Sequence, residues 1–344
     1  MSDTNLNILF TSVGRRVELI RAFRGAYQSL ELDGRIAALD IDPLAPALRL
    51  ADRPYIVPRL STPNYIQTLV GICEREKVDV IFPLIDPDIP VLARHRKLIE
   101  ATGARLGVVS EQAAHITADK WLTFEFFRSL GLPTAQSWLP GTFDASQADY
   151  PLFIKPRDGS AAKDTFRVRN ERELAFFSEY ITEPIVQEFL AGPEITSDVI
   201  CDLDGRVRGV VSRRRIEVRW GEVAKGVTVY DEQIDAACRQ IAAALPAIGP
   251  ITVQCIVRDG VPYFTEINAR MGGGLPLGVA AGANSPAWLL ASLAGRAIET
   301  PQGRDSYKEN IYLTRYDESF FLTEEDRTRM LDGGGASESR RGLT

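Results

Sequence analysis

The 344-residue sequence is poor in several residue types on which common classes of site depend. It contains two histidines, His95 and His115, in separate segments, so a histidine-based zinc site or a Ser-His-Asp triad has little support. Its four cysteines are scattered without CxxC spacing, which is typical of reduced, buried thiols. No GxGxxG motif follows the early strand patterns, so a dinucleotide-binding dehydrogenase is the weakest prediction for the N-terminal region.

Excess positive charge and long apolar runs are also missing. The net charge of −6 argues against a general nucleic-acid binder, which would present a basic face. No apolar run reaches the roughly eighteen residues of a membrane span, and the polar N-terminus lacks the basic segment of a signal peptide. We therefore expect a cytoplasmic protein with no nucleic-acid or membrane partner. A hydrophobic content of 45% in a chain of this length favours two or three domains.

The N-terminal region alternates strand and helix patterns. The strand patterns cover residues 6–11, 36–40, 78–84 and 106–109, and helical spacing of apolar residues covers 17–30 and 63–76. This alternation predicts a parallel sheet with helices on both faces. Ligands of such sheets bind beyond the carboxyl ends of the strands.

Charged residues follow three of these strands. Arg15 and Arg16 open a helix, where backbone N–H groups and guanidiniums suit an anion, although an ordinary βα turn with exposed arginines is the favoured explanation. Asp40 lies at the end of the second strand. Asp86 and Asp88 either cap the next helix or face a substrate.

From residue 117 the pattern becomes α+β. Lys120 begins a helix, and Lys155 ends the strand pattern 150–156. A loop of small residues follows at 157–164. Such a loop offers backbone N–H groups to phosphates, whose charge the two lysines can neutralise. The extended backbone at 188–190 suits an adenine edge, and Glu194 suits ribose hydroxyls.

The stretch 253–270 carries the most specific pattern, two strand-like runs around an Asp259-Gly260 turn. Glu266 and Asn268 are two residues apart, so their side chains emerge from the same face of a strand. Their oxygens are ligands that Mg²⁺ prefers, together with phosphate oxygens. The pattern therefore indicates an ATP site.

Gln254 joins this face only if it lies opposite Glu266. A strict two-residue turn would pair Gln254 with Thr265 instead, and a shift of one residue sends a side chain to the other face. We therefore expect a three-residue loop, or a bulge at Gly260.

Two further segments are candidates for the substrate side. Strand alternation puts Arg213 and Arg215 on one face and Arg214 on the other, and the sequence does not say which face meets a phosphate or carboxylate. Arg214 is taken as the nucleotide-binding candidate. The run 271–276 either offers N–H groups to a carboxylate or acyl phosphate, or forms a helix-entry turn.

These motifs together resemble the ATP-grasp superfamily, with the closest likeness to its carbamoyl-phosphate-synthase-like and amino-acid-ligase branches. The resemblance rests on 152–156, 187–194 and 264–270, and spans roughly residues 5–300. It implies a pre-ATP-grasp parallel α/β domain followed by an α+β ATP-grasp fold of two subdomains. The implied parts are the pre-ATP-grasp domain (1–115), the small lid subdomain (116–190) and the large subdomain (191–300), followed by a C-terminal extension (301–332). The linker-like composition of 333–344 predicts a disordered tail.

The resemblance also implies roles for individual residues. By this resemblance, Lys120 and Lys155 contact the phosphates and Glu194 binds the ribose. Arg270, together with Lys155, acts on the reacting phosphoryl group. The remaining implied residues are the nucleotide contacts Gln187, Glu188 and Leu190, and the Mg²⁺ (or Mn²⁺) ligands Gln254, Glu266 and Asn268. An amide at the first metal position is similar to the carbamoyl-phosphate synthase pattern and gives the metal less negative charge.

The implied reaction is an ADP-forming ligation in which a carboxylate becomes an acyl phosphate and an amine then displaces phosphate. Small-molecule carboxylates and amines are therefore the expected partners. A kinase of bicarbonate or carbamate and a non-catalytic nucleotide-binding module are the alternatives. A full carbamoyl-phosphate synthase needs two ATP-grasp halves, and this chain has length for one. The strand-like stretch 310–321 covers either a sheet edge or a neighbouring subunit, and a homodimer is the candidate assembly.

Overall fold

The computed structural model describes residues 5–159, 163–219 and 221–331. The tail 333–344, for which composition predicts disorder, lies outside the described residues, as does part of the small-residue loop. Three sheets organise the described chain: a five-stranded parallel sheet, a four-stranded sheet and a six-stranded sheet.

The N-terminal region forms the parallel sheet, with strand order β3-β2-β1-β4-β5. Its elements are β1 (Ile8–Thr11), α1 (Val17–Ser29), β2 (Ile36–Asp40), β3 (Arg53–Ile56), α2 (Tyr65–Glu76), β4 (Val80–Pro83), α3 (Asp88–Arg94), α4 (Arg96–Glu100) and β5 (Arg105–Leu106). Strand β1 is wholly buried because its two faces pack into different cores. On one face the ring centroids of Phe10 and Phe23 of α1 lie 4.9 Å apart, and on the other face Leu9 belongs to the core that contains the apolar residues of α2. The predicted parallel sheet with helices on both faces is confirmed.

Hydrogen bonds within the sheet occupy most of the acidic groups at its carboxyl edge. The Gly14 N–H donates to Asp40 Oδ2 at 2.7 Å, which holds the first βα turn. The buried Asp88 carboxylate accepts from Thr11 Oγ1 at 2.5 Å and from Ser12 Oγ at 3.1 Å. Burial raises the pKa of Asp88 to about 6. Asp40 and Asp88 therefore hold the turns.

A short helical segment leads into the four-stranded antiparallel sheet, with order β6-β9-β7-β8. Its elements are α5 (Glu111–Ala118), α6 (Lys120–Ser129), β6 (Ser137–Trp138), β7 (Leu152–Pro156), β8 (Phe166–Val168), α7 (Glu171–Tyr180) and β9 (Pro184–Glu188). Leu152, Ile154, Val168 and Val186 form its small core, with α7 packed on it. Because Leu152 and Ile154 point into this core, alternation leaves Phe153 and Lys155 on the opposite face.

The six-stranded antiparallel sheet has the order β14-β13-β10-β11-β12-β15. Its elements are β10 (Glu194–Cys201), β11 (Val207–Arg219), β12 (Glu222–Thr228), α8 (Glu232–Ala244), β13 (Ile251–Arg258), β14 (Val261–Asn268), α9 (Leu275–Ala280), α10 (Ser285–Leu293), β15 (Tyr312–Thr314) and α11 (Glu324–Leu331). Strand β15 pairs with β12 and so covers an edge of the sheet, one of the two alternatives for the stretch 310–321. Among the described residues, no helix has the length and apolar character needed to cross a bilayer.

The register of the β13–β14 hairpin differs from the expected one. Arg258 pairs with Val261, so the turn is a strict two-residue turn, and the bulge expected at Gly260 is absent. The register instead shifts farther along, where Gln254 pairs with Glu266 and Thr265 becomes the extra residue. Gln254 therefore reaches the same face as Glu266, but by a bulge in the strand rather than by a longer turn.

Candidate active site

A cavity of about 440 Å³ lies between the four-stranded sheet and the six-stranded sheet. Every residue predicted for the site lines it except Arg214. Those that line it are Lys120, Lys155, Gln187, Glu188, Leu190, Glu194, Gln254, Glu266, Asn268 and Arg270. Residues from distant parts of the sequence thus converge on one cleft.

Lys155, near the end of β7, is a half-buried cation on the wall of this cavity. Burial is the main reason that its pKa falls to about 8; Glu266 opposes the shift and Lys120 adds to it. Lys120 begins α6 and donates from Nζ to the Gly159 carbonyl at 2.8 Å, so it links the helix to the small-residue loop. An anion placed between the two lysines would relieve their mutual repulsion.

The extended segment after β9 forms another wall. The buried Gln187 amide donates to Ser137 Oγ at 2.7 Å, which commits that side chain to the sheet. Glu188 Oε1 accepts from the Gln136 N–H at 3.0 Å, and its other oxygen lies 3.3 Å from Arg258. Side-chain bonding thus fixes residues 187 and 188. The backbone at Glu188–Leu190 remains on the cavity wall.

Glu194, at the start of β10, forms an ion pair of 2.5 Å with Arg215. Arg215 lines the cavity, whereas Arg214 is exposed and does not. The choice of Arg214 from sequence is therefore corrected to Arg215. The alternation of β11 was predicted, but the face that packs against β10 and the cavity is set by tertiary contacts.

The metal-type residues of the hairpin lie beside an aspartate from the parallel sheet. Oriented for hydrogen bonding, the Gln254 amide nitrogen donates to Glu194 Oε1 at 3.3 Å and to Glu266 Oε2 at 3.2 Å. The Asn268 amide nitrogen likewise donates to the Asp86 carboxylate at 3.0 and 3.2 Å. The two amide groups hold the carboxylates in position. Rotation of either amide can turn its own oxygen toward a cation.

The donor set limits the kind of metal that fits. Within the described chain, no group of three or more His, Cys, Asp or Glu side chains forms a metal cluster. One hairpin carboxylate, Glu266, and the amide oxygens of Gln254 and Asn268 suit a hard cation only when other oxygen ligands complete its shell. This matches Mg²⁺, which usually takes one or two carboxylates together with substrate phosphates.

Arg270 extends from the hairpin toward the parallel sheet. Its Nη2 donates to Asp86 Oδ2 at 2.8 Å. Asp86 lines the cavity, where a carboxylate can face a ligand as well as cap a helix. Its position after β4, at the carboxyl edge of the sheet, was the signal available in the sequence.

Two family models match separate parts of the chain. A model described as the PylC-like N-terminal domain matches residues 8–106. A model described as ATP-grasp in the biosynthetic pathway with Ter operon matches residues 181–314.

Known proteins resemble the chain at low identity. D-alanine–D-alanine ligase A of Bacillus cereus is 25% identical over 59% of this chain and 77% of that protein. The 3-methyl-D-ornithine–L-lysine ligase of Methanosarcina acetivorans is 26% identical over 76% of this chain and 67% of that protein. A carbamoyl-phosphate synthase of Methanobrevibacter smithii is 27% identical over 44% of this chain, which spans only 42% of that synthase.

Solved structures share the fold. An L-amino acid ligase from Bacillus licheniformis superposes with a TM-score of 0.65 at 18% identity, over 84% of this chain and 74% of that chain. A biotin carboxylase from Campylobacter jejuni superposes with a TM-score of 0.67 at 19% identity, over 89% and 74%. The parallel N-terminal sheet followed by antiparallel sheets is therefore a known arrangement.

Proposed function

Because the chain belongs to the ATP-grasp superfamily, we propose that it is an ATP-dependent, ADP-forming ligase that joins a carboxylate to an amine through an acyl phosphate. The observation that carries this proposal is the convergence of Lys120, Lys155, Glu194 and the 254–270 hairpin on one cavity. Basic residues from one sheet and oxygen ligands from another meet there, as the binding of a metal-bound triphosphate requires.

In this proposal the 440 Å³ cavity binds ATP. The backbone at Glu188–Leu190 contacts adenine, and Glu194 accepts from ribose hydroxyls. Arg215 holds the Glu194 carboxylate in position. Lys120 and Lys155 contact the phosphates, where their charges offset the charge of the triphosphate.

Glu266, Gln254 and Asn268 would hold Mg²⁺ (or Mn²⁺), which when bound supplies charge neutralisation at the phosphates. The two amide side chains must rotate to present oxygen, which releases their contacts with Glu194 and Asp86. The chain itself supplies Arg270 next to this position, where its guanidinium stabilises charge on the transferring group.

The reaction needs no side-chain nucleophile. A substrate carboxylate oxygen forms a bond to the γ-phosphorus of ATP, and the bond to the bridging oxygen breaks to release ADP. The amine nitrogen then bonds to the acyl carbon, phosphate leaves with the bonding electron pair, and the nitrogen loses a proton. The residues of the cavity position the reactants and neutralise charge, which is the main work in phosphoryl transfer.

The alternatives receive less support. A carbamoyl-phosphate-synthase-like kinase would share Gln254 at the metal, but the chain matches a larger share of the ligases than of the synthase. A non-catalytic module has no need of the Asp86–Arg270 pair beside the phosphates. The domain limits, the homodimer and the cytoplasmic location stay predictions.

Release of ADP tests the proposal. Purified protein with ATP and Mg²⁺ is given pooled amino acids and other small carboxylates, with and without amine acceptors. We expect ADP formation that depends on both substrates, and that falls to background in Glu266→Ala. Arg214→Ala is the matched control, since this exposed side chain lies outside the cavity. Tight binding of ATP without turnover in any pool would favour the non-catalytic module instead.

A further inference from the structure

A second cavity of about 200 Å³ adjoins the ATP cavity at the metal hairpin. Asp86, Gln254 and Arg270 line both, so a molecule in the second cavity lies beside the position proposed for the reacting phosphate. We call it the arginine chamber, defined by Arg16, Asp86, Arg213, Glu222, Arg270 and the loop Gly272–Gly274. These residues come from the parallel sheet, from the β11–β12 hairpin and from the segment after β14.

The three glycines allow arginine side chains to lie directly against the backbone. A Cβ on Gly273 would be 2.2 Å from Arg16 Nη1, and one on Gly274 would be 2.1 Å from Arg213 Nε. Any side chain at these positions would therefore displace a guanidinium. The glycine run is explained by this packing, which brings the two arginines into the chamber wall.

Residues that line the chamber also carry buried polar atoms without hydrogen-bond partners. In the described part of the chain, Arg16 Nη1, Thr196 Oγ1, Arg213 Nε and Arg270 Nε are buried and have no hydrogen-bond partner, and all four residues line the chamber. Arg16 Nη1 does lie 3.1 Å from Glu222 Oε1, as an ion pair. Buried polar groups are nearly always hydrogen-bonded, and guanidinium nitrogens can only donate. For the three guanidinium nitrogens the missing partner is therefore an acceptor.

The charges around the chamber do not cancel. Arg270 pairs with Asp86. On β11, Arg213 pairs with Asp198 of β10, and Arg215 pairs with Glu194 of β10. Glu222, by contrast, is shared by Arg16, at 3.1 Å, and by Arg315, at 2.8 Å. Arg16, Arg315 and Glu222 together carry one excess positive charge, and Arg16 is the more closed to solvent of the two arginines, where a charge that is only partly offset is costly.

We propose, on the premise of the ligase function above, that the arginine chamber binds the carboxylate-bearing substrate, and that this substrate is a small molecule with two acid groups. One carboxylate lies at Arg270, beside the ATP phosphates, and is the group that reacts. The other lies at Arg16 and takes the excess positive charge. An acidic amino acid and a plain dicarboxylate both have this chemistry.

The observations favour this class over neutral or cationic substrates. A zwitterionic amino acid has no net charge to offset the excess at Arg16, and a basic one would add to it. The donors without acceptors belong to residues at both the Arg16 end and the Arg270 end, which calls for acceptors on both sides of the ligand. The chamber volume holds a small molecule and is far more than one water needs.

Binding can be measured without turnover, which separates this proposal from the ligase function. Calorimetry on protein saturated with Mg²⁺ and a non-hydrolysable ATP analogue would compare succinate, aspartate, glutamate, alanine and lysine. We expect the dicarboxylates to bind at least about tenfold more tightly than alanine, and lysine to bind weakest. If succinate bound as tightly as aspartate, the chamber would not recognise the amino group. Equal binding of alanine, or binding of none, would overturn the proposal even if ADP release were found with other substrates.

Variants at Arg16 locate the second carboxylate. Arg16→Gln is expected to raise the Kd or KM for dicarboxylates about tenfold or more, while the Kd of the nucleotide analogue stays unchanged. Arg16→Lys keeps the charge and should recover much of the affinity. The matched control is Arg15→Gln in the same turn, since Arg15 is 60% exposed and faces Asp317 at the surface. An equal loss for the nucleotide, or an equal loss for alanine and aspartate, would show that Arg16 only joins the domains.

Discussion

Nucleotide binding should depend on pH through Lys155, because burial lowers its pKa to about 8. Above that pH the side chain loses the positive charge that we propose faces the phosphates, so affinity falls as pH rises. If one protonated lysine is required, each further pH unit weakens binding about tenfold, or about 1.4 kcal/mol. Lys155→Arg keeps its charge throughout this range, because a guanidinium does not deprotonate in proteins.

Proton linkage gives the same prediction a second readout. In the free protein, burial makes the charged form of Lys155 unfavourable. This free-energy cost is present below about pH 8 and disappears as the pH rises above 8, because the side chain loses its proton. A bound phosphate favours the charged form and raises the pKa. Binding near pH 8 should therefore take up about half a proton, since half of the side chains are neutral before binding.

Calorimetry with a non-hydrolysable ATP analogue and Mg²⁺, in two buffers of different ionisation enthalpy, measures both quantities. Wild-type protein should show the decline in affinity and the proton uptake, and Lys155→Arg should show neither. Lys97→Arg, on the exposed face of α4, is the control for a general effect of the substitution. A wild-type affinity that is constant to about pH 9.5 would refute the reasoning. So would a pH dependence that persists in Lys155→Arg.

Three other substitutions test particular parts of the site. Arg215→Ala should weaken nucleotide binding by about tenfold, roughly 1.4 kcal/mol, whereas Arg214→Ala should leave it unchanged; equal effects in titration would contradict the placement of β11. Gln254→Glu should lower the Mg²⁺ concentration for half-maximal activity several-fold, because it adds negative charge at the metal; an unchanged requirement would remove Gln254 from the metal site. Asp198→Asn leaves the buried Arg213 without its ion-pair partner and should lower the free energy of unfolding by about 3–5 kcal/mol, as measured by urea denaturation. A loss below about 1 kcal/mol would contradict the burial of the Arg213–Asp198 pair.

The sequence predicted best what depends on local order. Lys120 at a helix start, Lys155 at a strand end and the Glu266–Asn268 spacing are each set by a few neighbouring residues, and all line the cavity in the structure. The parallel sheet followed from the alternation of strand and helix patterns. Periodicity was sufficient in these cases because it reports which side of an element is buried.

Other features depend on contacts between distant segments. The bulge at Thr265 lies several residues from the turn, and no turn residue reveals it. Alternation showed that Arg213 and Arg215 share a face but not which face meets the cavity. Asp86 and Arg16 were visible as candidates beside strands, but only the folded chain brings them to the hairpin and to Glu222.

The route through an acyl phosphate is the central claim, and transfer of heavy oxygen tests it most directly. The accepted carboxylate substrate is labelled with heavy oxygen on its carboxyl group and turned over with unlabelled ATP and amine. Because a carboxylate oxygen attacks the γ-phosphorus and leaves with the phosphate, we expect one heavy oxygen in each phosphate released, measured by mass spectrometry. Phosphate that contains no heavy oxygen, released alongside the joined product, would contradict the account.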